Sequence, residues 1–214
     1  MATKIGVVSQ KGGVGKSTVS RLFAVEFAKN DWSVLIADMD TVQATSSRWN
    51  DRRLSNKLQP VIDVATFNSV DRALKNQENY DLIIFDGSPH ATVMTMAIAK
   101  TCDLVVIPTG VTVDDLQPSV ILANELKKQG VSKDKIAFVL NRVASSEVEL
   151  QEAYELIEGS LYGCLGDIAE KPGYHRALDA GMSLTETSYP SLNEKADVVV
   201  ARAIEKLGLV EEVT

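Results

Sequence analysis

The sequence predicts an α/β fold, a doubly wound and mostly parallel sheet with helices on both faces. Two observations carry that class. Short runs rich in Val and Ile recur along the chain, nearly continuous in apolar residues, as parallel strands covered on both faces require. Amphipathic stretches of helical spacing lie between them, and this alternation of strand and helix is the signature of right-handed βαβ crossovers. Ligands of such sheets bind at the carboxyl ends of the strands. At 214 residues the chain is long enough for one well-buried domain, expected to span residues 1–214.

Taken in order, the first apolar run is Lys4 to Ser9. A glycine-rich turn follows, and then a helical stretch from Ser17 to Asn30 with Val19, Leu22, Phe23, Phe27 and Ala28 at helical spacing. Ser33 to Ala37 forms the second run and ends in Asp38-Met39-Asp40. Later runs are Val61 to Ala65, Leu82 to Phe85 before Asp86, Leu104 to Ile107 before Pro108, and Ile136 to Leu140 before Asn141. Helices are expected over Thr45 to Leu54, Ser69 to Gln77, Thr92 to Lys100, Asp115 to Gln129 and Glu147 to Gly159. The last third is less regular. It offers a short strand over Leu165 to Ile168, a short helix over Tyr174 to Ala180, and a terminal helix over Asn193 to Leu207 with Ala196, Val199, Val200, Ala203 and Leu207 on one face.

Chemistry concentrates at Lys11-Gly12-Gly13-Val14-Gly15-Lys16-Ser17-Thr18, set between strand and helix, which reads as a phosphate-binding loop. Glycines let backbone N–H groups converge on a triphosphate, and the helix N-terminus adds its positive end. Lys16 would supply a mobile charge to the outer phosphates, and Ser17 a hydroxyl to Mg²⁺. The general pattern places glycine where this chain has Gln10; a second lysine, Lys11, stands at the loop entrance instead. Tyr80 to Asp86 has the form of a Walker B segment, in which Asp86 would hold Mg²⁺ through a water. Asp38 and Asp40 sit two residues apart at a strand end, so their side chains point the same way and both can face the phosphates.

With Lys11 ahead of Gly12-Gly13, the loop resembles the deviant P-loop of the ParA/MinD family of P-loop ATPases. The resemblance covers about Lys4 to Arg142 and implies a site for ATP and Mg²⁺. It further implies that Lys11 reaches across a nucleotide-sandwiched homodimer to the partner's phosphates, and that Asp40 orients the attacking water. Lys11, Lys16 and Asp40 are thus the catalytic candidates, and Asp38 is left to an outer Mg²⁺ role or to holding its loop. Asn141-Arg142 resembles the family's adenine-side segment, where an amide and a flat cation meet the base. Asp114-Asp115 lies near the dimer interface in relatives and is read first as a helix cap. Thr41-Val42-Gln43 replaces the usual Pro-Gln, so Gln43 is assigned no role. The short length, with no helix-turn-helix ahead of the loop, is most similar to the short ParA-type partition ATPases. Such a protein would bind nucleoid DNA nonspecifically and position a plasmid, chromosome or other cargo with a centromere-binding-type adaptor that stimulates hydrolysis.

Composition limits these readings. A formal net charge of −7 means that DNA contact must come from a local basic patch. The candidates are Lys171, Arg176, Lys195, Arg202 and Lys206, or Arg48, Arg52 and Arg53. Cys102 and Cys164 are too few and too far apart for a metal or redox pair, which argues against an iron–sulfur carrier; they are expected as buried small residues. His90 and His175 suggest no metal site. No apolar segment approaches the roughly 18 residues of a membrane helix, so a cytoplasmic protein is expected; the resemblance implies that its ATP form associates with the nucleoid. A MinD-like membrane-cycling ATPase is disfavoured by the acidic C-terminal stretch Leu207 to Glu212. A P-loop metabolic ligase or a non-hydrolysing, nucleotide-dependent scaffold would share the same fold and loop.

Overall fold

In a computed structural model, which describes residues 1–89, 92–144 and 146–209, seven strands form one sheet. They are β1 (Thr3–Val7), β2 (Val34–Asp38), β3 (Asp63–Thr66), β4 (Leu82–Asp86), β5 (Leu104–Thr109), β6 (Ile136–Val143) and β7 (Gly163–Ala169). Their order across the sheet is β3-β2-β4-β1-β5-β6-β7, and neighbours pair in parallel throughout. The helices are α1 (Lys16–Lys29), α2 (Thr45–Ser55), α3 (Val70–Ala73), α4 (Thr92–Thr101), α5 (Val113–Lys128), α6 (Glu147–Gly159), α7 (Pro172–Asp179) and α8 (Pro190–Lys206). The expected doubly wound α/β class is what forms. His90 and Glu211 to Thr214 lie outside the described residues.

Alternation along each strand divides the core in two. In β4, Leu82 and Ile84 pack on one side with Val19, Leu22 and Phe23 of α1 and Val199 and Ala203 of α8. Ile83 and Phe85 pack on the other with Ile98 of α4, Leu122 and Leu126 of α5 and Ala153 of α6. These strand side chains have essentially no exposure, and each fully buried one stabilises the fold by about 1.5–3 kcal/mol. Gly6 shows how close the second layer comes. A Cβ there would meet Ile98 Cγ2 at 2.5 Å and Cys102 Sγ at 3.0 Å, so glycine lets α4 lie directly on β1.

Several expected boundaries move, each for a local reason. The third strand is Asp63–Thr66 instead of 61–65, because β2 sets its register, Leu35 opposite Asp63 through Asp38 opposite Thr66. Ile62, just before it, is apolar because it fills the core below the sheet. The helix expected over Ser69 to Gln77 is one capped turn followed by a 3₁₀ segment, Leu74–Asn79, with Asn76 out of helical geometry. That segment buries no residue, so nothing offsets the weak helix propensity of its asparagines. The fifth helix begins at Val113, with Asp114 and Asp115 in its first turn, where carboxylates suit the helix dipole. Strand β6 runs on to Val143, so Asn141 and Arg142 lie inside it instead of after it. Pairing with β7 carries the ladder past Leu140, and the register shifts there as Arg142 takes φ 57°.

Arg53 also corrects an expectation. It is fully buried and cannot belong to a basic surface. Its Nη1 and Nη2 grip Glu186 at 2.7 and 3.0 Å, and the remaining donors reach the carbonyls of Gln59, Pro60 and Gly181 at 2.7, 3.0 and 3.2 Å. The guanidinium thus ties α2 to the loop after α7 with every donor satisfied. Replacing it by Met leaves Glu186 half-buried without its cation. Urea unfolding of Arg53→Met should show a loss of ~3–5 kcal/mol; a midpoint within error of the wild type would refute the clamp.

Candidate nucleotide-binding site

The site arises where strand register brings three chain ends into one row. Asp86 closes β4, and it lies opposite Asp38 on β2 and opposite Val7 on β1. The glycine loop leaves β1 just after Val7, between β4 and β5, the switch point at which a doubly wound sheet binds its ligand. Gly12, Gly13, Gly15, Lys16, Ser17, Thr18, Arg21, Asp38, Asp40, Asp86 and Arg142 are among the residues lining the resulting cavity of about 220 Å³.

Local geometry prepares the loop for an anion. Gly15 precedes α1 in the left-handed region at φ 97°, with no side-chain cap on the helix N-terminus. The orphan N–H groups of the first turn are therefore free to meet phosphate oxygens. A Cβ at Gly15 would lie 1.8 Å from Asn141 Nδ2, and that amide donates to the Val14 carbonyl at 2.8 Å. Asn141, buried in β6, braces the loop from behind. Lys16 folds back over the loop, its Nζ 3.4 Å from the Lys11 carbonyl. Burial lowers its pKa, opposed by the nearby carboxylates of Asp86 and Asp40.

The acidic side is held by main-chain donors. Asp38 accepts from the N–H groups of Asp40 (3.1 Å), Ser46 (3.0 Å) and Ser47 (3.3 Å). Of its two expected roles, the structure displays the loop-holding one. Its pKa is raised by burial, against the pull of those same hydrogen bonds. Asp40 is half-buried and accepts from Val42 and Gln43 N–H through Oδ1. Asp86, 2% exposed, accepts from Ser46 Oγ at 2.6 Å through Oδ2, while its Oδ1 is buried with no partner among the described residues.

That orphaned oxygen is the test of a metal. A buried carboxylate oxygen on a residue that lines one cavity with Ser17 and the loop glycines suits Mg²⁺, which takes few protein ligands and completes its shell with water and phosphate. No cluster of three or more His, Cys, Asp or Glu that could cage a metal occurs among the described residues. Ser17 and Asp86 are the groups that would hold Mg²⁺, and the loop from Gly12 to Thr18 the triphosphate.

Other candidates fall elsewhere. Lys11 does not line this cavity; its ammonium pairs with Asp115 in an adjoining hollow shared with Gly110, Thr112, Asn141 and Arg142. Asp115 also accepts from Thr112 Oγ1 at 2.9 Å. His175 is exposed and pairs with Glu170. Cys102 is buried and Cys164 half-buried, both unbridged. Two residues escaped sequence reasoning, Arg21 and Ser46. Arg21 carried a signal, since it lies four positions after Ser17 and so on the same face of α1. Ser46 carried none.

A seven-stranded parallel sheet with a glycine loop at its switch point and a carboxylate at the neighbouring strand end defines a P-loop nucleotide-binding protein. The sequence profile of the CobQ/CobB/MinD/ParA nucleotide-binding domain matches residues 5–184, and the chain belongs to that family. Members of the family use ATP with Mg²⁺. No curated protein matches the chain in sequence. Among solved structures, the septum site-determining protein MinD of Pyrococcus horikoshii, complexed with Mg-ADP, superposes with TM-score 0.75 at 20% identity, covering 97% of this chain and 98% of that one. A plasmid partition protein of Borrelia burgdorferi gives TM-score 0.70 at 18% identity, covering 96% and 99%. An aspartate-to-alanine variant of McdA of Cyanothece in complex with ATP gives TM-score 0.69 at 17% identity, covering 100% and 99%. These likenesses establish the fold.

Burial raises the pKa of Asp86, and the hydrogen bond from Ser46 only partly offsets it. An acid whose pKa rises on folding loses stability as pH climbs through the interval between its unfolded and folded values, and the whole penalty persists above it. Asp86→Asn removes that penalty. The nucleotide-free variant should melt above the wild type at neutral pH, by about 2–4 °C for each ~1 kcal/mol, and the advantage should vanish in acid. The same variant should lose Mg²⁺-dependent tightening of ATP binding. A lower melting point at neutral pH would contradict this account of Asp86.

Proposed function

We propose that this chain is a ParA-type partition or positioning ATPase, acting as one domain in the cytoplasm. ATP binding closes a face-to-face homodimer, the dimer holds nucleoid DNA without sequence preference, and a centromere-binding-type adaptor stimulates hydrolysis and release. The placement of Lys11 supports this reading most. Its side chain is 47% exposed and pairs with Asp115 in a hollow beside the main cavity, whereas Lys16 lines the main cavity itself. A lysine on the outer rim is available to the phosphates of a second copy. Added there, its charge stabilises the negative charge spread over the transferring phosphoryl group, as an arginine finger does. Lys11 must leave Asp115 to do so, which links hydrolysis to dimerisation.

The remaining roles belong to the same reading. Lys16 and the N–H groups of the loop hold the β- and γ-phosphates in place. The Ser17 hydroxyl and the Asp86 carboxylate would hold Mg²⁺, which would supply positive charge to the phosphates. Asp40, half-buried at the cavity edge, accepts a hydrogen bond from the attacking water and orients it. Arg142 lines both hollows and offers a flat cation to the base. For DNA, α7 packs against α2, so exposed Arg48, Arg52 and Arg176 come from neighbouring helices. Lys171, Lys195 and Arg202 are exposed as well, and Lys206 is half-buried.

The decisive measurement is ATP turnover and DNA association across a salt series. Association of the ATP form with nonspecific DNA should weaken steeply as salt rises; no association at low salt would sink the partition reading. Lys16→Ala should lose nucleotide. Asp40→Ala should keep an ATP-bound dimer that no longer hydrolyses. Lys11→Ala should keep nucleotide yet lose turnover by about 10³-fold or more, and unchanged turnover would refute its role across the dimer.

A further inference from the structure

Arg21 lines the phosphate cavity as a buried cation to which the partition reading gives no role. It lies on α1, one turn beyond Ser17, and is 5% exposed. Its Nη2 donates to the Thr45 carbonyl at 2.7 Å and its Nε to Ser46 Oγ at 3.3 Å. The guanidinium carbon stands 5.4 Å from the centre of the buried Trp49 ring, which α2 also contributes. These three contacts fasten the start of α2 to α1 and its core.

Ser46 makes this fastening more than structural. A hydroxyl has one proton to give, and Ser46 gives it to Asp86 Oδ2 at 2.6 Å. With Arg21 Nε occupying one lone pair of Ser46 Oγ, that proton is held on the Asp86 side. The backbone N–H groups of Ser46 and Ser47 meanwhile hold Asp38. Residues 40–44, which carry Asp40, therefore form a loop pinned at both ends, by Asp38 before it and by Arg21 and Ser46 after it. The later pin touches the same carboxylate whose other oxygen has no partner among the described residues.

We propose that Arg21 is a positioning residue which, through Ser46, links Mg²⁺ at Asp86 to the placement of the Asp40 loop. The inference rests on the hydrolytic reading of this site. Two properties of the guanidinium separate. Its charge, buried near Asp86 and Asp38, repels an incoming divalent cation; its fork geometry orders α2 and hence Asp40. A residue that only filled space would show neither effect.

The test compares Arg21→Met, Arg21→Lys and Ser46→Ala for ATP turnover and for the Mg²⁺ concentration that half-saturates ATP binding. Arg21→Met keeps an unbranched apolar stem and removes the charge together with the fork, so half-saturation should fall to roughly a tenth while turnover falls on the order of 10²-fold. Arg21→Lys restores the charge without the fork, and should return half-saturation to within twofold of the wild type while turnover stays low. Ser46→Ala should match Arg21→Lys. Trp49 gives a readout independent of turnover: with Trp32→Phe leaving Trp49 as the sole tryptophan, Mg²⁺ added to the ATP complex should shift its emission, and Ser46→Ala should abolish the shift. The inference is overturned if Arg21→Met turns over within twofold of the wild type, or if its Mg²⁺ half-saturation is unchanged or rises. A wild-type chain that fails to hydrolyse ATP counts against the functional reading alone, and the Mg²⁺ titrations and Trp49 emission then decide the role of Arg21.

Discussion

The structure depends on a buried carboxylate. Asp86 ends the strand that lies between β1 and β2, and it has almost no contact with solvent. An isolated charge there is costly, so its surroundings are arranged to answer it. Ser46 satisfies one oxygen, and Lys16 and Arg21 bring positive charge close by. Burial in turn brings the Arg21 pKa down to about 10. The second oxygen has no partner among the described residues, and it is this deficit that suits the site to a divalent cation.

The parallel sheet supplies the rigidity such a site needs. Both faces are covered, and the strand ends meet in a fixed row, Asp38 beside Asp86 beside Val7. Site groups carried on strand ends and helix starts are held more closely than groups on long loops. The exception is the segment bearing Asp40, which relies on bonds to its own turn and on the anchored start of α2. Lys11 stands at the opposite extreme. It is exposed on the loop and paired with the carboxylate of Asp115 on α5.

Much of this was legible in the residues. The glycine loop declared itself because strand, loop and helix followed one another with Lys16 and Ser17 in the required places. Asp86 was legible because an unbroken apolar run led to it. Arg53 was not, since charged residues on a helix ordinarily read as surface, and only the fold shows Glu186 and three carbonyls converging on it. Asn141 was legible as a site residue by resemblance, but its hold on the Val14 carbonyl depends on β6 running past the back of the loop.

The sequence by itself determined the α/β class, the phosphate loop and the acidic strand ends, because these depend on local spacing and on the periodicity of apolar residues. Only the tertiary structure decided which strand ends adjoin, that Lys16 lines the main cavity while Lys11 pairs with Asp115 beside it, and that Arg21 and Ser46 share a network with Asp86. Those facts rest on sheet order and on contacts between residues far apart in the chain. Strand order follows from how helices pack across both faces of the sheet, and no run of neighbouring residues encodes it.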